Sequence, residues 1–187
     1  MAKQTEVGDA AERSIEPKAR KARGARRRGK RKRGHEEGRP SGVSAYPRHS
    51  VRKALRVPKA ILEQNAGKAC TDREAVNFAG LAYHGPSRVE ISSSIKYGLL
   101  ERPTAGNVAV TDLAKKILRP QNPNDELDGL RQAVLNAPTI ADVYKHYRGE
   151  NVPDEEFFTN ALVDTFGLPG DKVDEFKSVF LEDLSEA

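Results

Sequence analysis

The chain has 187 residues with a formal net charge of +5, one cysteine and no tryptophan, and charged residues make up 32% of it. A single cysteine, Cys70, cannot form an internal disulfide, and no Cys and His residues have the spacing of zinc ligands, which excludes a disulfide scaffold and a zinc module. No apolar run is long enough to span a membrane, and the N-terminus lacks the apolar region of a secretory signal, which predicts a soluble cytoplasmic protein.

The net charge hides a gradient along the chain. Basic residues outnumber acidic ones by 15 to 6 in residues 1–50 and by 12 to 6 in residues 51–119, whereas residues 120–187 have 5 basic and 15 acidic residues. Such an asymmetry bears on the partners of a protein rather than on its fold. The chain is therefore bipolar in charge, with its basic end at the N-terminus.

Residues 1–48 form a basic tail whose few large apolar side chains cannot offset the entropy of ordering the backbone, so we expect it to be disordered. Its centre, residues 18–33, has 11 basic residues in 16 and no acidic residue. Such a run neutralises phosphates and releases their counterions, which predicts sequence-independent, salt-sensitive binding to nucleic acid. The predicted contacts are Lys18, Arg20, Lys21, Arg23, Arg26, Arg27, Arg28, Lys30, Arg31, Lys32 and Arg33.

Other interpretations of the tail stay open. It can be a solvated arm that keeps the protein soluble, although such arms usually mix their charges or are acidic. In a eukaryotic cell the same residues would also be typical of a nuclear import signal. An anionic membrane surface is disfavoured as the target, because no aromatic residue beside the run supplies an apolar anchor.

The folded part begins with helical patterns. A short helix over residues 50–57 stops at Pro58, which can serve as the first residue of a second helix that ends near Gly67. Residues 71–74 form a capping box, in which the Thr71 hydroxyl accepts from the backbone of Glu74 and the Glu74 carboxylate accepts from the backbone of Thr71. This box predicts the start of the next helix.

The next helix is expected over residues 87–97. Ser87 can cap its start, and Gly98 can end it in the left-handed conformation. On a helical wheel Ile91 points into the core, whereas Glu90, Ser93 and Tyr97 face the opposite way. The wheel therefore predicts an exposed face that includes one acidic residue.

Two short alternating segments around residues 103–107 predict a β-hairpin, and Thr111 is expected to cap a helix that runs to Pro120. The order of helix, helix, helix, hairpin and helix is the plan of a winged helix, in which the second and third helices form a helix-turn-helix and the hairpin forms the wing. We therefore expect a winged-helix domain over residues 49–120. Each element can also be a simple core-packing unit.

Beyond Pro120 the pattern is purely helical and predicts a C-terminal helical subdomain, residues 121–187, packed on the winged helix. Its aromatic residues are expected in the core, and its acidic residues suit the first turns of helices, although a dedicated acidic binding surface is the alternative. The expected fold class is mainly α, with three helices and a β-hairpin wing followed by a C-terminal helical bundle. The helices are expected over residues 125–136, 140–147, 153–166 and 172–184.

The folded part resembles an uncharacterised bacterial winged-helix family, whose members combine a short basic winged helix with a helical tail. The resemblance covers residues 49–187 and does not include the basic tail. It implies a fold and no catalytic residues, because its motifs are packing and turn residues. These motifs are HS at 49–50, ALRVPKAI at 54–61, NAGK at 65–68, KYGL at 96–99, TDLAKKI at 111–117, Pro120, YKHY at 144–147 and LVDTFG at 162–167.

The sequence contains no constellation of catalytic residues. Its four histidines lack the spacing of metal ligands, and no phosphate-binding loop, dinucleotide-binding motif or nucleophile elbow occurs. Cys70 is a lone thiol beside a helix cap, and such a thiol is more often structural than reactive. We therefore expect no enzyme activity, no metal ion and no cofactor.

The sequence favours a nucleic-acid-binding protein, with duplex DNA as its partner, RNA as the alternative ligand and a regulatory role such as control of transcription. In a bacterium such a protein would be associated with the nucleoid. The tail would supply affinity for the nucleic acid, and the winged helix would fix the position of the protein on it. The candidate contacts from the folded part are Ser87, Arg88, Ser93, Ser94 and Lys96 on the helix and Arg102 and Asn107 in the wing.

The alternative is a non-enzymatic protein interaction module. Base-reading helices usually offer several Arg, Asn or Gln side chains, whereas the candidate contacts of this helix are three serines, one arginine and one lysine. Glu90 would in addition repel phosphates unless it accepted from a cytosine amino group. On this hypothesis the winged helix and the acidic C-terminal helices bind a partner protein, and the tail tethers the assembly to DNA or RNA. DNA binding by a chain that lacks the tail would separate the two hypotheses.

Overall fold

Helices form most of residues 46–187, the part of the chain that this computed structural model describes, and a small antiparallel sheet completes it. Residues 1–45, which include most of the segment predicted to be disordered and the basic run of residues 18–33, lie outside the described residues. The helices are α1 (Val51–Ala54), α2 (Arg56–Gln64), α3 (Asp72–Phe78), α4 (Gly85–Lys96), α5 (Asp112–Leu118), α6 (Asp125–Asn136), α7 (Pro138–Tyr147), α8 (Glu155–Asp164) and α9 (Val173–Glu186). The strands are β1 (Cys70–Thr71), β2 (Leu100–Glu101) and β3 (Asn107–Val110), and a 3-10 turn spans Gly170–Lys172.

Local signals set several helix ends. Thr71 and Glu74 form the predicted capping box at the start of α3, with the Glu74 carboxylate 2.8 Å from the backbone nitrogen of Thr71. The Thr111 hydroxyl accepts from the backbone of Ala114 and caps α5 as predicted. Gly98 has a φ of 72° just after α4, in the left-handed region that glycine adopts without strain. These predictions from the sequence are confirmed.

The sheet contains the predicted hairpin and one strand more. β2 and β3 pair antiparallel, with Leu100 opposite Val110. β1 pairs antiparallel with the other edge of β3, with Cys70 opposite Val108, so the strand order is β1-β3-β2. Burial in this strand raises the pKa of the Cys70 thiol, which disfavours the reactive thiolate.

Several predicted helix starts are shifted by about two residues, namely those of α2, α4, α7 and α8. α2 begins at Arg56, two residues before the predicted start, and Pro58 lies in its first turn, where the missing backbone N–H costs no intrahelical hydrogen bond. α8 is shorter at both ends than the predicted helix over residues 153–166. Helix ends fray and depend on tertiary packing, which is why such boundaries are the least certain part of a sequence prediction.

The hydrophobic core is continuous through the described residues and is richest in aromatic rings between α8 and α9. Phe176 and Phe180 stack at 5.8 Å, and Phe158 lies 6.0 Å from Phe180, all three fully or nearly buried. Each such side chain contributes about 1.5–3 kcal/mol on burial. Phe157 is 64% exposed, so the prediction that the C-terminal aromatic residues all lie in the core is wrong at this position.

The segment before α1 belongs to the folded part. Tyr46 and Pro47 are buried, and the Tyr46 ring meets Phe176 edge-on at 5.1 Å. The backbone nitrogen of Arg48 donates to the Ser93 hydroxyl. Residues 46–48, which the sequence assigned to the basic tail, thus pack on the folded part through the buried Tyr46 and the hydrogen bond of Arg48. Within residues 46–187, no helix has both the length and the apolar content to cross a membrane.

Candidate nucleic-acid interface

α4 begins with a reciprocal cap made by His84 and Ser87. The backbone nitrogen of His84 donates to the Ser87 hydroxyl at 3.0 Å, and the backbone nitrogen of Ser87 donates to the His84 ring at 3.5 Å. The Ser87 hydroxyl also lies 2.9 Å from the carbonyl of Ala82, and its side chain is buried. The cap residue is thus His84 rather than the predicted Ser87. The Ser87 hydroxyl makes its hydrogen bonds to backbone groups at the start of the helix.

Two further serines of α4 face inward. The Ser94 hydroxyl donates to the carbonyl of Ala54 in α1 at 2.7 Å, and the Ser93 hydroxyl accepts from the backbone of Arg48 at 3.2 Å. Both side chains are buried. The geometry does not bring Ser87, Ser93 or Ser94 to the surface, so it gives no support to their predicted contacts with nucleic acid.

Glu90 is also inside the protein. The wheel placed Glu90, Ser93 and Tyr97 on the exposed face of the helix, and this prediction is wrong, because all three are buried, with Ser93 bonded to the backbone of Arg48 and Tyr97 bonded to Asp183 of α9. Glu90 is 5% exposed, and its Oε1 atom has no hydrogen-bond partner among the described residues. The one acidic side chain of α4 therefore does not face a ligand placed on the outer surface of the helix.

The outer surface of α4 carries Arg88, Ser92 and Lys96, which we call the α4 stripe. They are four residues apart and therefore lie along one face of the helix. Arg88 is exposed and has no ion-pair partner within residues 46–187, whereas Lys96 is half-buried and its Nζ donates to the carbonyl of Tyr46 at 2.8 Å. Burial and then the charge of Arg48 lower the pKa of Lys96. Ser92 was not among the residues predicted from the sequence to contact nucleic acid, although its spacing of four from Arg88 and from Lys96 indicates that it lies on the same face.

The β2–β3 hairpin, the predicted wing, is held against α3. Both terminal nitrogens of Arg102 donate to the Asp72 carboxylate, at 3.0 and 3.1 Å, and the backbone nitrogen of Asp72 donates to the carbonyl of Gly106. Asn107 donates to the Thr104 hydroxyl within the hairpin turn. Arg102 and Asn107 thus lie away from the core but make internal contacts, which hold the β2–β3 hairpin in one position beside α3.

Arg48 lies beside the α4 stripe and was not singled out in the sequence. Its Nε and Nη2 atoms donate to the Glu175 carboxylate, the second of these across 3.3 Å. Nothing local in the sequence predicts this ion pair, because 127 residues separate its members. Arg48 extends the positive surface of α4 towards α9.

The predicted tail contacts, residues 18–33, lie outside the described residues. Within residues 46–187, no group of His, Cys, Asp and Glu side chains is arranged to hold a metal ion. No protein-family model matches the chain, and no curated protein and no solved structure matches it.

Proposed function

We propose that the chain is a DNA-binding protein in which residues 51–118 form a winged helix and the α4 stripe enters the major groove of duplex DNA. The basic tail binds phosphates without regard to sequence and supplies much of the affinity. The folded part fixes where the protein sits on the duplex. A regulatory role, such as control of transcription, and a place on the nucleoid of a bacterium are part of this proposal.

The topology supports the winged-helix part of the proposal. α2, α3 and α4 precede the β2–β3 hairpin, and α3 and α4 form a helix pair joined by a short turn, as in a helix-turn-helix. The added strand β1 pairs with β3 and ties the hairpin to the start of α3. In this arrangement α4, the second helix of the pair, is the helix that can enter the major groove of DNA.

The observation that carries the proposal is the absence of any acidic side chain from the outer surface of α4. Glu90 is the only acidic residue of this helix, and it is buried. The surface therefore presents Arg88 and Lys96 without the repulsion from phosphates that the sequence predicted. Residues 46–119 as a whole have 13 basic and 6 acidic residues, so the surroundings of α4 are also positive.

The attachment of the tail fits the same proposal. Tyr46, where the described residues begin, accepts a hydrogen bond from Lys96 of the α4 stripe. The 12 residues between Arg33 and Tyr46 can span at most about 45 Å when fully extended. The basic run can therefore reach phosphates of the same duplex that α4 contacts, which raises its effective concentration at that duplex.

Arg88→Ala in the full chain tests the proposal. We expect the affinity for duplex DNA to fall about 5- to 150-fold, the equivalent of one lost base or phosphate contact. Arg148→Ala is the matched control, because Arg148 is also exposed and also has no ion-pair partner within residues 46–187. It removes the same charge from the acidic half and should change the affinity less than about twofold. Equal effects of the two substitutions would refute a groove contact by α4.

Exposed apolar side chains of the C-terminal half favour a protein interaction module as the second candidate. Leu135 and Leu181 are 45% and 53% exposed. Leu135 lines a groove of about 340 Å³ together with Tyr144 and Leu184. An exposed groove lined by apolar side chains is typical of protein contacts. This function would replace the first if Leu135→Asp abolished binding of a partner protein while Arg88→Ala left DNA binding unchanged.

A further inference from the structure

We propose that Arg48, beside Lys96, binds one backbone phosphate of nucleic acid, and that Glu175 holds the Arg48 guanidinium in the free protein in place of the phosphate. Nucleic acid would displace the Glu175 carboxylate when it binds. This inference rests on the proposed function and adds Arg48, which lies outside the α4 stripe, to the proposed contacts.

The pairing of Arg48 with Glu175 has the geometry in which arginine binds phosphate. Two nitrogens of one guanidinium, Nε and Nη2, donate to the two oxygens of one carboxylate. A phosphate offers a similar pair of oxygens, and arginine binds carboxylate and phosphate with the same two-point geometry. A phosphate can therefore take the place of the Glu175 carboxylate without a new arrangement of the Arg48 side chain.

Backbone and side-chain contacts place Arg48 next to the α4 stripe. The backbone nitrogen of Arg48 donates to the Ser93 hydroxyl at 3.2 Å, and Lys96 donates to the carbonyl of Tyr46 at 2.8 Å. These two hydrogen bonds attach residues 46–48 to the C-terminal half of α4. A duplex seated on the stripe would thus meet the Arg48 guanidinium beside Lys96.

Glu175 contacts two positive groups. Glu175 is shared between Arg48 and Lys172, whose Nζ lies 4.0 Å from its Oε2 atom. Lys172 also lies 3.5 Å from the exposed Asp171 carboxylate. Lys96 adds a further positive charge, close enough to Arg48 for the two cations to repel each other. Such a cluster attracts a second anion from solution.

The Arg48–Glu175 pair is accessible to a competing anion. The side chains are 43% and 27% exposed, so the pair is in contact with water. Exposed ion pairs are weak because water and salt screen them. Contact with a nucleic-acid phosphate gains from counterion release, which an internal carboxylate cannot provide. The exchange of Glu175 for phosphate is therefore favourable at low salt.

The test compares three variants of the full chain by their affinity for one short duplex. Glu175→Gln removes the competing charge and should raise the affinity about three- to tenfold at low salt. Glu156→Gln is the matched control, because Glu156 is an exposed acidic residue in the first turn of α8 without an ion-pair partner among the described residues. Glu156→Gln changes the net charge by the same amount as Glu175→Gln and should alter the affinity for the duplex less than about twofold.

The double variant Arg48→Ala, Glu175→Gln shows whether the gain depends on Arg48. We expect the double variant to bind the duplex no more tightly than the wild type does. Thermal melts should show that all three variants are folded. If the double variant still bound the duplex more tightly than the wild type, the effect of Glu175 would be a general repulsion of DNA, and the inference would be overturned. A gain for inorganic phosphate but not for DNA would also overturn it, by assigning the site to a free anion.

The outcomes separate this inference from the proposed function. If Glu175→Gln leaves the affinity unchanged while Arg88→Ala lowers it, the inference is wrong and the proposed function stands. If the full chain binds no duplex DNA even at low salt, both are wrong.

Discussion

Tyr97 donates its hydroxyl hydrogen to Asp183 across 2.6 Å, although 86 residues separate them along the chain. The second oxygen of Asp183 accepts from the backbone nitrogen of Val51 at 2.7 Å. One buried carboxylate of α9 thus holds the end of α4 and the start of α1. Burial raises the pKa of Asp183 to about 6, while the two hydrogen bonds act in the opposite direction.

The raised pKa of Asp183 predicts that its contribution makes the protein less stable as the pH rises. The folded state keeps the proton up to about pH 6, whereas the unfolded chain loses it near its ordinary pKa of 3.8. Between these values the folded state binds more protons, so the free energy of unfolding falls with rising pH. The contribution amounts to about 3 kcal/mol over the whole range.

Asp183→Asn isolates this contribution from those of other carboxylates. Asparagine can still accept from Val51, and it does not titrate. Urea unfolding of both proteins at several values between pH 4 and pH 7 should show the wild type losing about 2–3 kcal/mol relative to the variant. A difference that does not vary with pH would contradict the raised pKa.

The basic tail should control the salt dependence of DNA binding. If its side chains neutralise phosphates, the logarithm of the affinity falls with the logarithm of the salt concentration by about 0.9 for each contact on duplex DNA. Alanine in place of six tail residues should therefore flatten the slope equally on unrelated duplex sequences, as measured by fluorescence anisotropy. An unchanged slope would show that the tail makes no phosphate contact. The six residues are Arg26, Arg27, Arg28, Arg31, Lys32 and Arg33.

Gly129 allows α6 to pack closely on α5. A Cβ atom at this position would lie 2.5 Å from Cγ1 of the buried Ile117. Alanine favours a helix over glycine by about 1 kcal/mol, but displacing a β-branched side chain in a packed core costs about 1–3 kcal/mol. We expect Gly129→Ala to lower the free energy of unfolding by about 1 kcal/mol in urea titrations.

Gly85→Ala is the control for Gly129→Ala. Gly85 is the first residue of α4, and a Cβ atom there would meet nothing within 4 Å. This substitution should leave stability unchanged or raise it slightly, by up to about 0.5 kcal/mol. If both variants were equally stabilised, Gly129 would not be needed for the packing of α5 on α6.

Predictions from local chemistry succeeded, and those that needed distant partners did not. The caps at Thr71 and Thr111 and the left-handed Gly98 depend on neighbouring residues, so the sequence alone contains them. β1 has only two residues, and its pairing partner Val108 lies 38 positions from Cys70, so no pattern within the strand reveals it.

The exposed face of α4 was predicted wrongly for a related reason. A helical wheel assumes that polar residues face water, whereas α4 buries Glu90, Ser93 and Ser94 against neighbouring segments. Small hydroxyls can be buried where a backbone group supplies a hydrogen bond, as Ala54 does for Ser94. Only the tertiary structure shows which backbone groups are available, so the sequence did not show that Ser93 and Ser94 are buried.

The dependence of α1 on Asp183 has a consequence for how the chain folds during synthesis. α1 and α4 can form contacts early, because both lie in the first half of the folded part. The acceptor for the first backbone N–H of α1 comes from α9, so this contact cannot form until α9 has emerged from the ribosome. Whereas many domains fold in order from the N-terminus, the final packing of α1 here waits until after translation of α9.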